Sequence, residues 1–148
     1  MKRLYDLLIV MILLALSVSC SKDGRKTYVI ASQKGVYYSP SNYWQSYFIV
    51  SEKGVDSWQA VETIYGMEYE LGYEYIVEGT LMMSEDYWEQ SGLMDANSDL
   101  TIETIISKTQ KDTQLPEREL ASVEKYWELL ESGQLPHEDQ VNAEHNKQ

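Results

Sequence analysis

The residue types that most often perform catalysis are scarce in this chain. Its only cysteine is Cys20, and its two histidines, His137 and His145, lie near the C-terminal end. A histidine base or a thiol nucleophile acts only beside its partner groups. The sequence also contains no Gly-x-Ser-x-Gly elbow, phosphate loop or dinucleotide fingerprint. We therefore predict that the protein is not an enzyme and takes no cofactor.

Clustered glutamates are one remaining source of chemistry. Glu68, Glu70, Glu74 and Glu78 are close in sequence, and two carboxylates could flank a substrate bond as they do in a glycosidase. The alternative is a solvated strand face that lies opposite a face of tyrosines. We favour this second interpretation, because Tyr73, Tyr75 and Val77 alternate with Glu74, Ile76 and Glu78.

A short acidic stretch begins in the manner of a calcium loop. Asp95–Asp99 places oxygen ligands at alternate positions. However, the sixth position is Leu100 instead of glycine, and the twelfth is Ile106 instead of glutamate. A structural turn, in which the Asp and Asn side chains bond the backbone, explains the stretch better. We therefore predict no metal site.

The N-terminus is typical of an export signal. Lys2 and Arg3 precede the apolar run Leu7–Val18, which is shorter than the roughly 20 residues that a spanning helix needs. The residues just before Cys20 resemble a lipobox, although Ser17 stands where a leucine is usual. The alternative is a plain signal peptide followed by an incidental cysteine.

We favour lipidation, because an unpaired cysteine in an exported protein otherwise needs an explanation. Residues 1–19 are then a lipoprotein signal peptide, and residues 20–26 are the lipidated Cys20 and a polar tether. The expected location is the bacterial cell envelope, lipid-anchored, at the outer membrane. An acylated Cys20 leaves the chain without a thiol.

The charge of the chain narrows the class of partner. It has 12 basic and 24 acidic residues, which gives a net charge of −12 at pH 7. Nucleic acid needs a basic surface, so we exclude it, and we expect membrane contact only through the lipid. Twelve tyrosines and four tryptophans suit either a recognition surface or half-buried strand positions.

Apolar and β-branched segments separated by turn signals predict a β-domain over residues 27–113. Trp58–Tyr65 fits either a strand or a short helix, and Lys34-Gly35 reads as a turn. A set of five or six short strands predicts a small antiparallel β-barrel, OB-like, or a sandwich. The clear predicted strands are Thr27–Ser32, Val36–Tyr38, Tyr43–Ser51, Tyr73–Met83 and Leu100–Lys108.

The C-terminal part predicts a different element, an amphipathic helix over residues 116–132. Pro116 suits the first turn and Gly133 suits the end. The apolar residues of its predicted inner face, which should pack on the β-domain, are Leu120, Val123, Trp127 and Leu130. Residues 133–148 are polar and predicted to form a disordered tail.

Two aromatic pairs are the candidate partner-binding residues. Tyr87 and Trp88 lie in a predicted acidic loop, Ser84–Ser98, and could serve as interface anchors. Trp88 could instead fold back over one end of the barrel. Tyr37 and Tyr38 form the second candidate pair.

The segment Ile64–Tyr75, a following strand, Asp95–Ser98 and then Ile102–Lys108 together resemble the family called domain of unknown function 4377. That family has an "I-x-G-aromatic-x-Y-E-x-G-Y-x-Y" stretch, in which Met67 here replaces the aromatic residue. The resemblance implies a small β domain of bacterial lipoproteins with no assigned enzymatic chemistry.

The lipobox, the size and the predicted barrel also resemble the potempins, lipoprotein peptidase inhibitors with an OB-type barrel. This second resemblance implies that a segment around Lys26–Tyr38, or a loop, enters a protease cleft. We therefore predict a membrane-anchored envelope lipoprotein that acts as a protein-binding module, most concretely a peptidase inhibitor. Its partner would be a protease or another envelope protein. The alternative is a structural or stress-related envelope lipoprotein without a specific ligand.

Overall fold

The computed structural model describes residues 24–83 and 98–135. The predicted signal peptide, Cys20 and most of the predicted tail therefore lie outside the described residues. The six strands are β1 Lys26–Tyr38, β2 Trp44–Glu52, β3 Trp58–Val61, β4 Thr63–Tyr65, β5 Tyr73–Met83 and β6 Ser98–Gln110, and the helix is α1 Glu117–Glu131. No helix in these two ranges combines the length and the hydropathy needed to cross a membrane.

The strands form one mixed sheet in the order β3-β2-β1-β5-β6-β4, in which only the β4–β6 pair is parallel. β3 and β4 are the first and the last strand of this order. Because Glu62 alone separates them in the sequence, the chain itself connects the two edges of the sheet. The Glu62 amide donates to the Ser98 carbonyl at 3.0 Å, and the Ser98 hydroxyl donates to the Ala60 carbonyl at 2.7 Å. The sheet thus curls into a partly open, OB-like arrangement. The predicted mainly β fold is confirmed.

The core lies inside this curled sheet. Alternate residues of β5, such as Tyr75 and Val77, are buried, as period-2 side-chain alternation requires. Each fully buried aliphatic or aromatic side chain contributes about 1.5–3 kcal/mol relative to exposure. The buried members of this main cluster are Tyr28, Ile30, Val50, Val61, Tyr75, Val77, Leu100 and Ile102.

One predicted turn is wrong. Lys34-Gly35 does not end a strand, because β1 runs without a break from Lys26 to Tyr38 and keeps pairing with β2 after an irregularity between Ile30 and Lys34. A Cβ at Gly35 would collide with the ring of Tyr47 on the facing strand. Glycine is needed here for close approach of a neighbouring ring, and the sequence alone does not distinguish that need from a turn.

The stretch that carries the family resemblance, Gly66–Tyr75, closes one end of the sheet. The Tyr69 hydroxyl donates to the Ala31 carbonyl at 2.9 Å, and the Glu70 amide donates to the Tyr75 hydroxyl at 3.2 Å. Gly66 has φ 90°, and a Cβ there would lie 2.5 Å from the Ile102 carbonyl oxygen. These residues therefore stabilise the fold.

The helix forms at its predicted position but buries only part of its predicted face. Val123, Tyr126 and Leu129 are buried, while Leu120 and Trp127, two of the predicted inner residues, are 42% and 40% exposed. The reason is that α1 lies along the edge of β1, where Ser122 and Val36 bond each other. The buried arc is therefore rotated from the one that the apolar spacing indicates.

The end of the helix follows its sequence signals. Gly133 has φ 71°, its amide donates to the Leu130 carbonyl, and the Gln134 amide donates to the Leu129 carbonyl at 2.9 Å. This bond pattern is the Schellman motif. Leu135, within the predicted disordered tail, is 4% exposed and packs against the helix cluster, so the ordered part of the chain extends past the predicted boundary.

Candidate protein-binding surface

The loop between β1 and β2 has a fixed conformation. The Ser39 amide donates to the Tyr43 carbonyl at 2.8 Å, and the Asn42 amide donates to the Ser39 carbonyl at 2.9 Å. Pro40 occupies the second position of this turn, where its ring presets φ. Asn42 has φ 64°, a left-handed conformation that asparagine tolerates better than most residues. The sequence therefore specifies a rigid turn at this end of the hairpin.

Exposed aromatic side chains flank this turn. Tyr38 is 55% exposed and Tyr43 is 51% exposed. Tyr38 pairs with Trp44 across the strands, and the two rings meet edge to face with centroids 5.2 Å apart. We call Tyr38–Trp44 the hairpin tip. It combines the Tyr, Ser and Asn side chains that are typical of protein-recognition loops.

Tyr37, the other candidate on β1, has a supporting position. Its hydroxyl lies 2.8 Å from a side-chain oxygen of both Gln45 and Glu62 and can donate to one of them at a time. Its ring packs beside Tyr47 at a centroid distance of 6.2 Å. Since Tyr37 is half-buried, Tyr38 offers the free surface of the predicted pair.

The helix holds the strand that carries the tip. The Val36 amide donates to the Ser122 hydroxyl at 2.8 Å, and that hydroxyl donates to the Val36 carbonyl at 3.0 Å. The Tyr47 hydroxyl also donates to Ser122, at 2.8 Å. Ser122 thus bonds both the amide and the carbonyl of Val36 on the outer edge of β1. An uncovered strand edge could pair with a strand of another chain. Burial raises the pKa of Tyr47, which keeps its hydroxyl protonated as a donor.

A second contact fixes the segment that leads into the helix. The Ser32 amide donates to the Thr113 hydroxyl, and the Thr113 amide donates to the Ser32 hydroxyl, both at 2.9 Å. The Ser32 carbonyl accepts from the Gly72 amide at 2.8 Å. The middle and the second half of β1 are therefore held by contacts from the C-terminal part of the chain. The hairpin tip follows directly on this supported part of the strand.

Two of the four clustered glutamates form ion pairs. Glu70 pairs with Lys108, and Glu74 pairs with Lys111 at 2.8 Å. The hydrogen bond that the Lys108 amine donates to Glu70 raises the pKa of Lys108, and this amine also lies 4.4 Å from the centroid of the Tyr73 ring. Glu74 and Glu78 lie on β5, whereas Glu68 and Glu70 precede it, and Glu74 is half-buried. The solvated strand face that we favoured from the sequence is therefore formed only in part.

The other candidate pair, Tyr87 and Trp88, lies outside the described residues, as do Asp95 and Asn97 of the calcium-like stretch. The two ends of that loop are described, because Met83 pairs with Ser98. Ser98 bonds Glu62, whose carboxylate reaches Tyr37. Across the parts of the chain that the structure describes, no cluster of three acidic, histidine or cysteine side chains could hold a metal.

Sequence reasoning missed Tyr43 and Trp44. The available signal is the pair of aromatics on each side of Ser39–Asn42, a turn-forming stretch with Pro and Asn. A rigid turn with such flanks predicts outward-facing rings. Comparison with protein-family models, with curated proteins and with solved structures finds no match for this chain.

Proposed function

We propose that this protein is a non-enzymatic protein-binding module that presents its hairpin tip to a protein partner from a lipid anchor at Cys20. The observation that carries the proposal is the pair of half-exposed tyrosines, Tyr38 and Tyr43, on a turn closed by its own backbone bonds. A rigid loop loses little conformational entropy on binding. Tyrosine adds apolar area and a hydroxyl at low entropy cost.

The position of the tip along β1 supports this arrangement. Five residues separate Cys20 from the start of β1 at Lys26. The tip stands at the other end of this 13-residue strand, which at about 3.3 Å per residue spans roughly 40 Å. An anchored domain can therefore hold its tip away from the outer membrane, where a soluble or envelope protein can reach it.

Peptidase inhibition is the most concrete form of the proposal. The potempin resemblance implied that Lys26–Tyr38 or a loop enters a protease cleft. Lys26–Tyr38 is the central strand, paired with β2 and β5, so it has no free edge along its first half for a protease. The hairpin tip is the loop that fits this role, since a fixed conformation resists the distortion that cleavage needs.

A comparison of matched tyrosine variants tests the proposal. The full-length chain and its Tyr38→Ser/Tyr43→Ser variant are used to capture partners from an envelope extract and to inhibit a panel of proteases. Tyr65→Ser is the control, because Tyr65 is 54% exposed and lies on β4, away from the tip. We expect the double variant to lose about tenfold or more in affinity or inhibition, and Tyr65→Ser to match the wild type.

The absence of any captured partner or inhibited protease contradicts the proposal, as does an equal loss in Tyr65→Ser. The anchor has its own test. Cys20→Ser should move the protein from the membrane fraction to the soluble fraction, and a variant that stays membrane-bound contradicts lipidation.

A further inference from the structure

A stripe of acidic and apolar residues on α1 is not covered by any other element within residues 24–83 and 98–135. Its members are spaced by three and four residues, so they lie along one side of the helix. All of them are exposed to solvent. The acidic–apolar stripe consists of Glu117, Leu120, Glu124, Trp127 and Glu131.

The apolar members have no role in the core. Leu120 and Trp127 are 42% and 40% exposed, while the neighbouring Val123 and Tyr126 are buried. Trp127 is nevertheless held in place, because its ring meets Tyr126 edge to face with centroids 5.6 Å apart. An exposed tryptophan with a fixed orientation is a typical anchor of a protein interface.

The acidic members are also unpaired within the described residues. The two basic side chains of the helix are already engaged, Arg118 with Glu119 and Lys125 with Glu128. Glu117, Glu124 and Glu131 form no ion pair in the described part of the chain. Moreover, the last helical turn contains Glu131 and no basic residue, although the helix dipole favours cations at that end. Glu131 is therefore unfavourably placed in the isolated helix, whereas Glu117 suits the first turn.

We propose that the acidic–apolar stripe is a second docking surface, and that its occupant is a basic amphipathic helix of a protein partner. Lys or Arg residues spaced three and four apart would face the three carboxylates, while apolar residues between them would cover Leu120 and Trp127. A cation beside Glu131 would also relieve its unfavourable place at the helix C-terminus.

Other occupants fit the charge less well. A second copy of this chain would bring two acidic stripes together, and like charges in close contact are unfavourable. An anionic lipid surface meets the same repulsion from a chain of net charge −12. The stripe differs from the face of α1 that meets the hairpin tip, because Trp44 packs against the cluster that contains Tyr126 and Leu129 and lies under the Lys125 amine, and none of these helix residues belongs to the stripe.

The test uses a synthetic amphipathic helix of about 21 residues made of lysine and leucine in a seven-residue repeat. It is immobilised on a sensor, and the full-length chain in nonionic detergent passes over it. We expect binding that weakens with added salt. Trp127→Ser and Glu124→Lys should each raise the Kd about tenfold or more, and Leu120→Ser repeats the test if Trp127→Ser does not fold.

Two controls separate docking from general attraction. Glu78→Lys makes the same charge change at an exposed carboxylate on β5 and should leave the Kd within about twofold. A scrambled peptide of identical composition should bind at least about tenfold more weakly. No binding, equal binding of the scrambled peptide, or an equal loss in Glu78→Lys each overturns the proposal. Tyr38→Ser/Tyr43→Ser should keep wild-type affinity for the helical peptide. The proposal for the acidic–apolar stripe and the proposal for the hairpin tip can therefore be contradicted independently of each other.

Discussion

Two tyrosine-rich regions of this protein use the same residue type in opposite ways. In Gly66–Tyr75, the hydroxyls of Tyr69 and Tyr75 bond backbone groups, and the rings pack against the core. At the hairpin tip, Tyr38 and Tyr43 are more than half exposed. The difference teaches that a tyrosine count alone does not identify a recognition surface. A tyrosine whose hydroxyl bonds the backbone and whose ring is packed supports the fold. A tyrosine whose ring is exposed on a rigid turn is a candidate for binding.

The largest effect that this comparison predicts is on Tyr75. Tyr75→Ala removes a ring that is 1% exposed within the main cluster, and loss of a buried aromatic costs about 3–5 kcal/mol. That is a large share of the roughly 5–15 kcal/mol that stabilises a typical domain. Urea unfolding measures it. A loss below about 1 kcal/mol would show that this region does not support the fold.

Gly66 gives the next largest effect. Gly66→Ala must adopt φ 90° and also place a Cβ 2.5 Å from the Ile102 carbonyl oxygen, so we expect a loss of about 3 kcal/mol. Gly54→Ala is the control, since φ is 88° but no atom lies within 4 Å, and it should cost about 1 kcal/mol. Thermal unfolding of both variants measures the difference. Equal losses would mean that only the backbone conformation matters at Gly66.

Ser122 connects the helix to the support of the tip. Ser122→Ala leaves the Val36 amide, the Val36 carbonyl and the Tyr47 hydroxyl without this partner, which should cost about 1–3 kcal/mol. Hydrogen exchange should show faster exchange at Val36 than in the wild type. Ser132→Ala, which removes two hydrogen bonds at the end of the helix and none to β1, is the control. Unchanged exchange at Val36 would show that the helix does not hold the strand that carries the hairpin tip.

A smaller effect is expected in the pH dependence of stability, at the supporting residue Tyr69. Burial raises the pKa of Tyr69 well above 10, so the folded state holds its proton more tightly than the unfolded state. Stability from this group is complete below about pH 10 and falls as the pH rises further. Tyr69→Phe should cost about 1 kcal/mol at pH 7 through the lost bond to Ala31 and should weaken the alkaline decline. Identical alkaline unfolding curves for both proteins would contradict this.

The smallest effect on stability is expected at the tip itself. Tyr38→Ala and Tyr43→Ala remove exposed rings and should change the free energy of unfolding by no more than about 0.5 kcal/mol, while partner affinity falls. Thermal unfolding beside the binding assay checks both statements. A loss of several kcal/mol at either position would place that residue among the supporting tyrosines.

The fold was largely predictable because its signals are local. Alternating apolar residues predict Tyr73–Met83 as a strand, and the structure has the same bounds. Pro116 and Gly133 predict the ends of α1 through backbone restrictions that do not depend on the rest of the chain. Trp58–Tyr65 was ambiguous by periodicity, and it forms two short strands because β2 and β6 pair with them.

The candidate site was only partly predictable. Tyr38 was identified from the sequence, whereas Tyr37 proved to be half-buried and Tyr43 was missed. Adjacent residues of a strand face opposite sides. Which side is covered depends on what packs there, and here that includes Tyr47 and Glu62, from distant parts of the chain.

The sequence by itself determined most of the element types, the rigid turn at Pro40 and Asn42, and the acidic charge, because each of these depends on local backbone preference or on composition. The tertiary structure alone decided that Gly35 lies under a ring within a continuous strand and that α1 turns Tyr126 inward and Trp127 outward. The physical reason is that the helix packs on a strand edge, so its buried arc is set by Ser122 and Val36, which are 86 positions apart.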